Sequence, residues 1–176
     1  MKAHAFADES KNHGFVLAAA IVKPCDLVQL RRQIGALRLP RQRRIHFTAE
    51  SDTRRKTILS VMAATAGRIV YIYDASAIHD IKAARDAAMT LLVDDLAKLG
   101  AELLVIEQDD QAVASDKKII KERIERAGCQ DTFRYQHRRA HEECLLAIPD
   151  AVAWAWPKGG RWRQRTSGLV AYSTEV

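Results

Sequence analysis

Two apolar runs near the N-terminus, separated by a short polar segment, constrain the fold more than any other feature of this sequence. The first run ends in Asp8-Glu9-Ser10, a polar turn follows over 11–14, and the second run covers 15–22. This pattern predicts two antiparallel strands, with Asp8 where the first strand ends. A carboxylate beside an apolar core is costly without a partner such as a cation. One acid at a strand end is more often only the start of a solvated turn, so a site at Asp8 requires acids from elsewhere.

Helices and strands alternate through the rest of the chain. Further strands are predicted over 68–74, 101–106 and 132–137, with a short extended piece over 45–48. Apolar residues at helical spacing predict helices over 25–37, from 51 to Gly67, and over 77–99, 116–127 and 140–156, with Pro149 expected to kink or split the last. This alternation predicts an α/β fold whose later strands are parallel. We expect one domain over residues 1–157, followed over residues 158–176 by a basic irregular tail or an edge strand.

The composition is that of an ordinary globular protein. Apolar residues make up 48% and charged residues 28% of the 176 residues, which excludes a disordered chain. The longest apolar run, 15–22, is too short to span a bilayer, and no secretion signal is visible. Three cysteines, odd in number and far apart in the sequence, fit a reducing compartment and provide no disulfide framework. We therefore expect a cytoplasmic protein that does not associate with membranes.

The charge distribution is more informative than the net charge of +6. Residues 27–45 contain six arginines and no acid, and a second basic group over 158–165 alternates with Trp154, Trp156 and Trp162. The segment Glu107-Gln108-Asp109-Asp110 forms an acidic centre between them. Basic surfaces that neutralise phosphates, around acids that hold metal ions, are what a metal-dependent nuclease requires. Either basic group alone could equally be a solvated helix or loop surface.

Three acids that are far apart in the sequence each follow or interrupt an apolar segment. Asp8 ends the first strand, and Glu107 ends a later strand that we expect to be parallel and adjacent to it. Asp150 lies in the apolar segment 145–154, where a buried carboxylate needs a partner. Glu143 is seven residues earlier, nearly two helical turns, and is expected on the same helix face. Because Mg²⁺ and Mn²⁺ prefer oxygen ligands, Asp8, Glu107, Asp150 and Glu143 are predicted to form a divalent-metal site.

Three short motifs resemble a known family. They are Asp8-Glu9-Ser10, Ile45-His46-Phe47, and the terminal segment Leu-Leu-Ala-Ile-Pro-Asp-Ala-Val-Ala-Trp-Ala around Asp150. They are similar to those of the ribonuclease-H-like family called domain of unknown function 3800, over a stretch from Lys2 to about Trp156. The resemblance implies a mixed sheet flanked by helices, with antiparallel N-terminal strands and parallel later ones. It also implies that Asp8, Glu107 and Asp150 are metal-site acids.

Three positions depart from the pattern of that family. Lys11 replaces the glycine that usually follows the Asp-Glu-Ser triplet, and Pro149 replaces the alanine before the helix acid. Arg44 replaces the acid that usually precedes the Ile-His pair. If the site needs a fourth ligand, Glu50, Asp52 or Glu143 would have to supply it in place of residue 44.

These observations together predict phosphodiester hydrolysis with one or two Mg²⁺ or Mn²⁺ ions. Asp8 would bridge the ions, and Glu107 and Asp150 would complete their coordination. His46 is the candidate for moving the leaving-group proton or binding a phosphate, against a structural or solvent-facing role. The partner would be RNA or DNA, and the candidate contact residues are Lys11, Arg41, Arg43, Arg44, Arg161, Trp162 and Arg163. Trp162 could instead anchor a dimer or pack the tail.

Two alternatives of another class remain open on the sequence alone. The chain could be a catalytically inactive nucleic-acid-binding module that keeps the same fold and basic surfaces. It could also be a protein-interaction module of a bacterial defence or toxin system, whose basic surfaces contact an acidic protein. A homodimer is possible in each case.

Overall fold

A mixed six-stranded sheet forms the centre of the protein in the computed structural model, which describes residues 2–176. The spatial order of the strands is β5-β4-β1-β2-β3-β6, in which β1 is antiparallel to β2 and β2 to β3. The other neighbours are parallel. The predicted combination of antiparallel N-terminal strands and parallel later strands is confirmed. The strands are β1 (His4–Ser10), β2 (Val16–Val22), β3 (Arg68–Asp74), β4 (Leu103–Glu107), β5 (Arg134–Arg138) and β6 (Val170–Glu175).

Six α-helices cover the two faces of this sheet in the described part of the chain. They are α1 (Leu27–Gly35), α2 (Asp52–Ala64), α3 (Ile81–Leu99), α4 (Val113–Arg126), α5 (Ala147–Ala155) and α6 (Gly160–Gln164). The Ser51 side chain caps α2 by accepting the backbone N–H of Arg54, and α3 ends at Gly100 in the left-handed conformation. Within residues 2–176, no helix combines the length and the apolar character needed to cross a membrane.

The structure corrects two predictions of local conformation. The segment predicted as extended over 45–48 runs into a 3₁₀ turn, Phe47–Ala49. The last long helix begins at Ala147, after a 3₁₀ turn at Cys144–Leu146, and not at residue 140. Pro149 therefore lies in the first turn, where backbone N–H groups have no intrahelical acceptor, and it does not kink the helix. The segment 158–176 contains α6 and β6, and β6 forms one edge of the sheet beside β3.

Alternation along β1 sends successive side chains to opposite faces of the sheet. Phe6 packs into one core with apolar residues of α1, α2 and α5. Ala5 and Ala7 pack into a second core with apolar residues of α3 and α4. The side chains of Asp8 and Glu9 continue these two series, so they leave the end of β1 towards different groups of helices.

A buried network of charged residues lies on the α3 and α4 side. Arg85 of α3 makes two hydrogen bonds of 2.9 Å to the carboxylate of Asp116 in α4, and its Nη1 lies 2.6 Å from Oε1 of Glu9. His137 Nε2 of β5 is 3.0 Å from the second oxygen of Asp116, which is fully buried. These contacts compensate the charges of Glu9 and Asp116 and join β1, β5, α3 and α4 below the end of the sheet.

Replacing Asp116 by Asn should destabilise the protein by about 3 kcal/mol, because it leaves the buried guanidinium of Arg85 short of one partner. Asp94 provides a matched control, since it forms the same kind of two-point contact between α3 and α4, to Arg123, in a more exposed position. Asp94→Asn should cost less than about 1 kcal/mol. Urea denaturation of both variants measures the difference, and equal losses would contradict the structural role assigned to the buried network.

Candidate functional site

The parallel pairing of β1 with β4 brings two of the predicted acids together. Ala7 is paired with Ile106, so Asp8 and Glu107 directly follow paired positions at the same edge of the sheet. Val105 packs into the core on the α5 side, as Phe6 does. Because side chains alternate along each strand, Asp8 and Glu107 both point towards the α5 side. Two neighbouring parallel strands therefore deliver two carboxylates to one place.

Helix α5, which packs on the face of the sheet next to this edge, supplies the third acid. It packs against β1 and β2, and Asp150 lies in its first turn. Oδ2 of Asp150 accepts a hydrogen bond of 2.8 Å from the backbone N–H of Phe47 and lies 3.9 Å from Nδ1 of His46. These contacts hold the segment around His46 next to the strand ends, so the pocket receives its residues from β1, β4, α5 and this segment.

An open pocket of ≈ 590 Å³ lies where these elements meet. The residues that line it are strongly unbalanced in charge, with six acids against one lysine and one histidine. The acids are Asp8, Glu9, Glu107, Asp109, Asp110 and Asp150, and the basic residues are Lys11 and His46. Trp154 lines the pocket as well. Such an arrangement attracts cations.

Burial and mutual repulsion raise the pKa values of two of these acids. Asp8 is only 7% exposed, and its pKa lies well above the usual range because it is desolvated and because Glu107 and Asp150 are close. The pKa of Asp150 is raised to about 6, chiefly by burial, although the hydrogen bond from Phe47 works in the opposite direction. Both shifts mean that ionising these carboxyl groups costs free energy in the folded protein.

Two basic side chains contact the acids at the rim of the pocket. Nη1 of Arg44 lies 2.6 Å from Oε1 of Glu107. Nζ of Lys11 lies 2.8 Å from Asp109 and 3.4 Å from Glu9. The Lys11 contact lowers the pKa of Asp109 by direct hydrogen bonding. Basic residues thus compensate part of the acidic charge, and they do so at Glu107, Glu9 and Asp109.

As the side chains lie, no three His, Cys, Asp or Glu residues among residues 2–176 are grouped closely enough to hold a metal ion. The donors at the pocket are nevertheless of the right chemical type, because carboxylate oxygens are the preferred ligands of Mg²⁺ and Mn²⁺. Asp8 and Asp150 have no lysine or arginine partner within 4.0 Å in the described chain. The residues therefore fit a hard divalent cation in chemical character and in charge.

Glu143 is not brought to the pocket with the other predicted ligands. It precedes the 3₁₀ turn in an extended conformation and accepts a hydrogen bond from the N–H of Leu145. Its carboxylate is held by Arg31 of α1, with a shortest contact of 2.7 Å. The expected shared helix face with Asp150 was wrong, because α5 begins four residues after Glu143.

Apart from Lys11, the predicted nucleic-acid contacts lie on two segments. Arg41 and Arg43 are exposed, and Arg44 is partly buried against Glu107. On the other segment, Arg161 is exposed, and the partly buried Trp162 packs edge-on against Trp154 with ring centres 5.1 Å apart. Arg163, also exposed, stacks over Trp156 at 3.8 Å.

Sequence reasoning missed the contact between Arg44 and Glu107 and the placement of Trp154 at the pocket wall. Residue 44 was singled out in the sequence as a departure from a motif and as a candidate nucleic-acid contact, and no periodicity connects it to residue 107. Trp154 is four residues after Asp150 in α5, so both project from one helix face. That spacing was the available signal for Trp154.

Raising the pH should lower the free energy of unfolding, because Asp150 becomes ionised. Its folded pKa of about 6 exceeds the ordinary value of 3.8, so the stability that its protonated form contributes is present at low pH and is lost as pH rises through 6. A shift of this size corresponds to about 2–3 kcal/mol. Asp150→Asn should therefore stabilise the protein by about 2 kcal/mol more at pH 7.5 than at pH 4.

Urea denaturation of wild type and variant at both pH values measures this difference. Asp109→Asn is the control of opposite sign, because the pKa of Asp109 is lowered and its variant should gain nothing at pH 7.5. An Asp150→Asn variant whose relative stability does not change with pH would contradict the raised pKa of Asp150.

Comparison with known proteins identifies the fold. The structure is similar to one in the solved complex of PCNA and RNase HII from Archaeoglobus fulgidus, with a TM-score of 0.56 and 15% sequence identity. The match covers 90% of this chain and 73% of that chain. No family model and no curated protein matches the sequence, so membership of the domain of unknown function 3800 stays a prediction. The chain has a ribonuclease-H-like fold similar to that of RNase HII.

Proposed function

We propose that this protein is a nuclease that uses Mg²⁺ or Mn²⁺ to hydrolyse phosphodiester bonds in RNA or DNA. The observation that carries the proposal is the convergence of Asp8, Glu107 and Asp150 at one open pocket, although they are far apart in the sequence. Acids with raised pKa values in a cleft are candidates for function, since a fold gains no stability from crowding them. The ribonuclease-H-like fold supports the proposal by analogy, because the solved protein that it resembles is named as a ribonuclease.

In this proposal Asp8, Glu107 and Asp150 hold the metal, directly or through water. A bound divalent ion supplies an activated water and stabilises the negative charge that develops on the phosphoryl oxygens. Asp8 is the central acid, because Glu107 and Asp150 are the two charges that most disturb its carboxyl group. The buried network around Arg85 fixes the backbone of Glu9, the next residue in the strand, and so keeps Asp8 in position.

His46 is proposed to act on the leaving group. It lines the pocket, its side chain is 47% exposed, and its ring lies beside Asp150. A histidine in this position can donate a proton to the departing oxygen or hold it through a hydrogen bond. The exposure leaves room for a substrate oxygen next to the imidazole.

Basic residues from several segments of the chain are proposed to hold the phosphate backbone. One of these residues, Lys11, directly follows β1. The loop before the 3₁₀ turn at Phe47–Ala49 contains Arg41, Arg43 and Arg44, and α6 contains Arg161 and Arg163. The net charge of +6 favours a polyanion, and binding should therefore weaken steeply with salt. The partly buried Trp162 is the candidate side chain for contact with a nucleobase.

Replacing Asp8 by Asn should reduce Mn²⁺-dependent cleavage by at least about a hundredfold, because it removes the carboxylate at the centre of the site. The assay uses labelled single-stranded RNA, single-stranded DNA, both duplexes and an RNA–DNA hybrid, with Mg²⁺, Mn²⁺ or EDTA. Glu143→Gln is the matched control, since Glu143 is an acid near α5 that lies with Arg31 outside the pocket. It should retain activity within about threefold of wild type.

Two results would contradict the proposal. One is the absence of metal-dependent cleavage of any substrate by the folded wild-type protein. The other is equal cleavage by wild type and Asp8→Asn, which would indicate a contaminating nuclease. Salt-sensitive binding of nucleic acid without cleavage would instead support the inactive binding module.

A further inference from the structure

We propose that Arg44, which lies beside the pocket, holds Glu107 and leaves Asp8 and Asp150 to share a single divalent ion. This inference rests on the proposed function, because it concerns how the same pocket binds metal. The inference assigns a role to Arg44, whose positive charge is opposite to that of a carboxylate ligand. It also chooses between one and two metal ions, which the proposed function leaves open.

The direct contact of Arg44 with Glu107 is the first observation. The 2.6 Å separation between Nη1 and Oε1 is that of a short, charge-assisted hydrogen bond. The side chains of Arg44 and Glu107 are 38% and 22% exposed, so water screens the pair only in part. A divalent ion that used the same oxygen of Glu107 would have to displace the guanidinium and tolerate its charge nearby.

The partners of the other acids provide the second observation. Four of the six carboxylates at the pocket have an arginine or lysine partner within 4.0 Å. Glu9 has Arg85 and Lys11, Glu107 has Arg44, Asp109 has Lys11, and Asp110 has Arg139. Of the six acids, only Asp8 and Asp150 have no such partner among residues 2–176. When ionised, these two carboxylates together carry the charge that one divalent cation neutralises.

The low exposure of Asp8 and the usual coordination of Mg²⁺ agree with an ion held by two carboxylates. Asp8 is 7% exposed yet lines the pocket, so its carboxylate has little water to compensate its charge. Mg²⁺ commonly takes only one or two protein carboxylates and completes its coordination with water and substrate oxygens. The pocket, at ≈ 590 Å³, has room for these additional ligands.

Isothermal titration calorimetry with Mn²⁺ alone tests the inference without substrate. Wild type should bind one ion per chain. Arg44→Gln should bind Mn²⁺ about tenfold more tightly, because Glu107 is released and a nearby positive charge is removed. Arg43→Gln is the matched control, since it removes the same charge from the neighbouring exposed residue and should change the affinity by less than about twofold.

Thermal unfolding in EDTA gives a second readout that needs no metal. At pH 7.5 Arg44→Gln should unfold at a lower temperature than Arg43→Gln, because Glu107 then joins two acids that already lack a lysine or arginine partner. Excess Mn²⁺ should remove this difference. A metal-free Arg44→Gln protein as stable as Arg43→Gln would overturn the inference.

The outcomes separate this inference from the proposed function. Two ions bound to wild type, or equal affinities for Arg44→Gln and Arg43→Gln, would overturn the role of Arg44 and leave a metal-dependent nuclease intact. If neither the wild type nor Arg44→Gln binds Mn²⁺, both proposals fail. One ion in wild type and tighter binding only in Arg44→Gln support both.

Discussion

The parallel register of β1 and β4 is the constraint on which the candidate site depends. It aligns the ends of two strands that are separated by about a hundred residues of chain, and alternation then directs Asp8 and Glu107 to the α5 face. A shift of one residue in either strand would send one of these carboxylates to the opposite face. The register is in turn fixed by the apolar side chains that both strands bury on each side of the sheet. Core packing therefore sets the geometry of the acids.

The acids at the two faces of the sheet have opposite electrostatic environments. On the α3 face, Arg85 compensates Glu9 and Asp116, and the result is a closed structural network. On the α5 face, Asp8 is also buried, but its neighbours are two further acids and it has no arginine or lysine partner. Such an imbalance costs stability, and folds retain costs of this kind at functional sites. Glu9 thus has a structural role, whereas Asp8, the residue before it in the same strand, has a proposed catalytic one.

Much of this arrangement follows from the sequence by simple rules. The strand over 68–74, the parallel pairing of β1 with β4 and the meeting of Asp8 with Glu107 depend on apolar patterning, which is local information. The position of Glu143 could not be obtained in this way, because it depends on where α5 begins, and tertiary packing decides that. The contact between Arg44 and Glu107 was equally inaccessible, since a loop residue has no periodicity that fixes its direction. The fold and the acids at strand ends were predictable, whereas the partners of those acids were not.

The most direct measurement of the central claim is anomalous diffraction from crystals of the protein soaked in Mn²⁺. The account predicts one anomalous peak in the pocket, next to the carboxylates of Asp8 and Asp150, with Arg44 still bound to Glu107. No peak in the pocket, or two peaks with Glu107 bound to metal and Arg44 displaced, would contradict it.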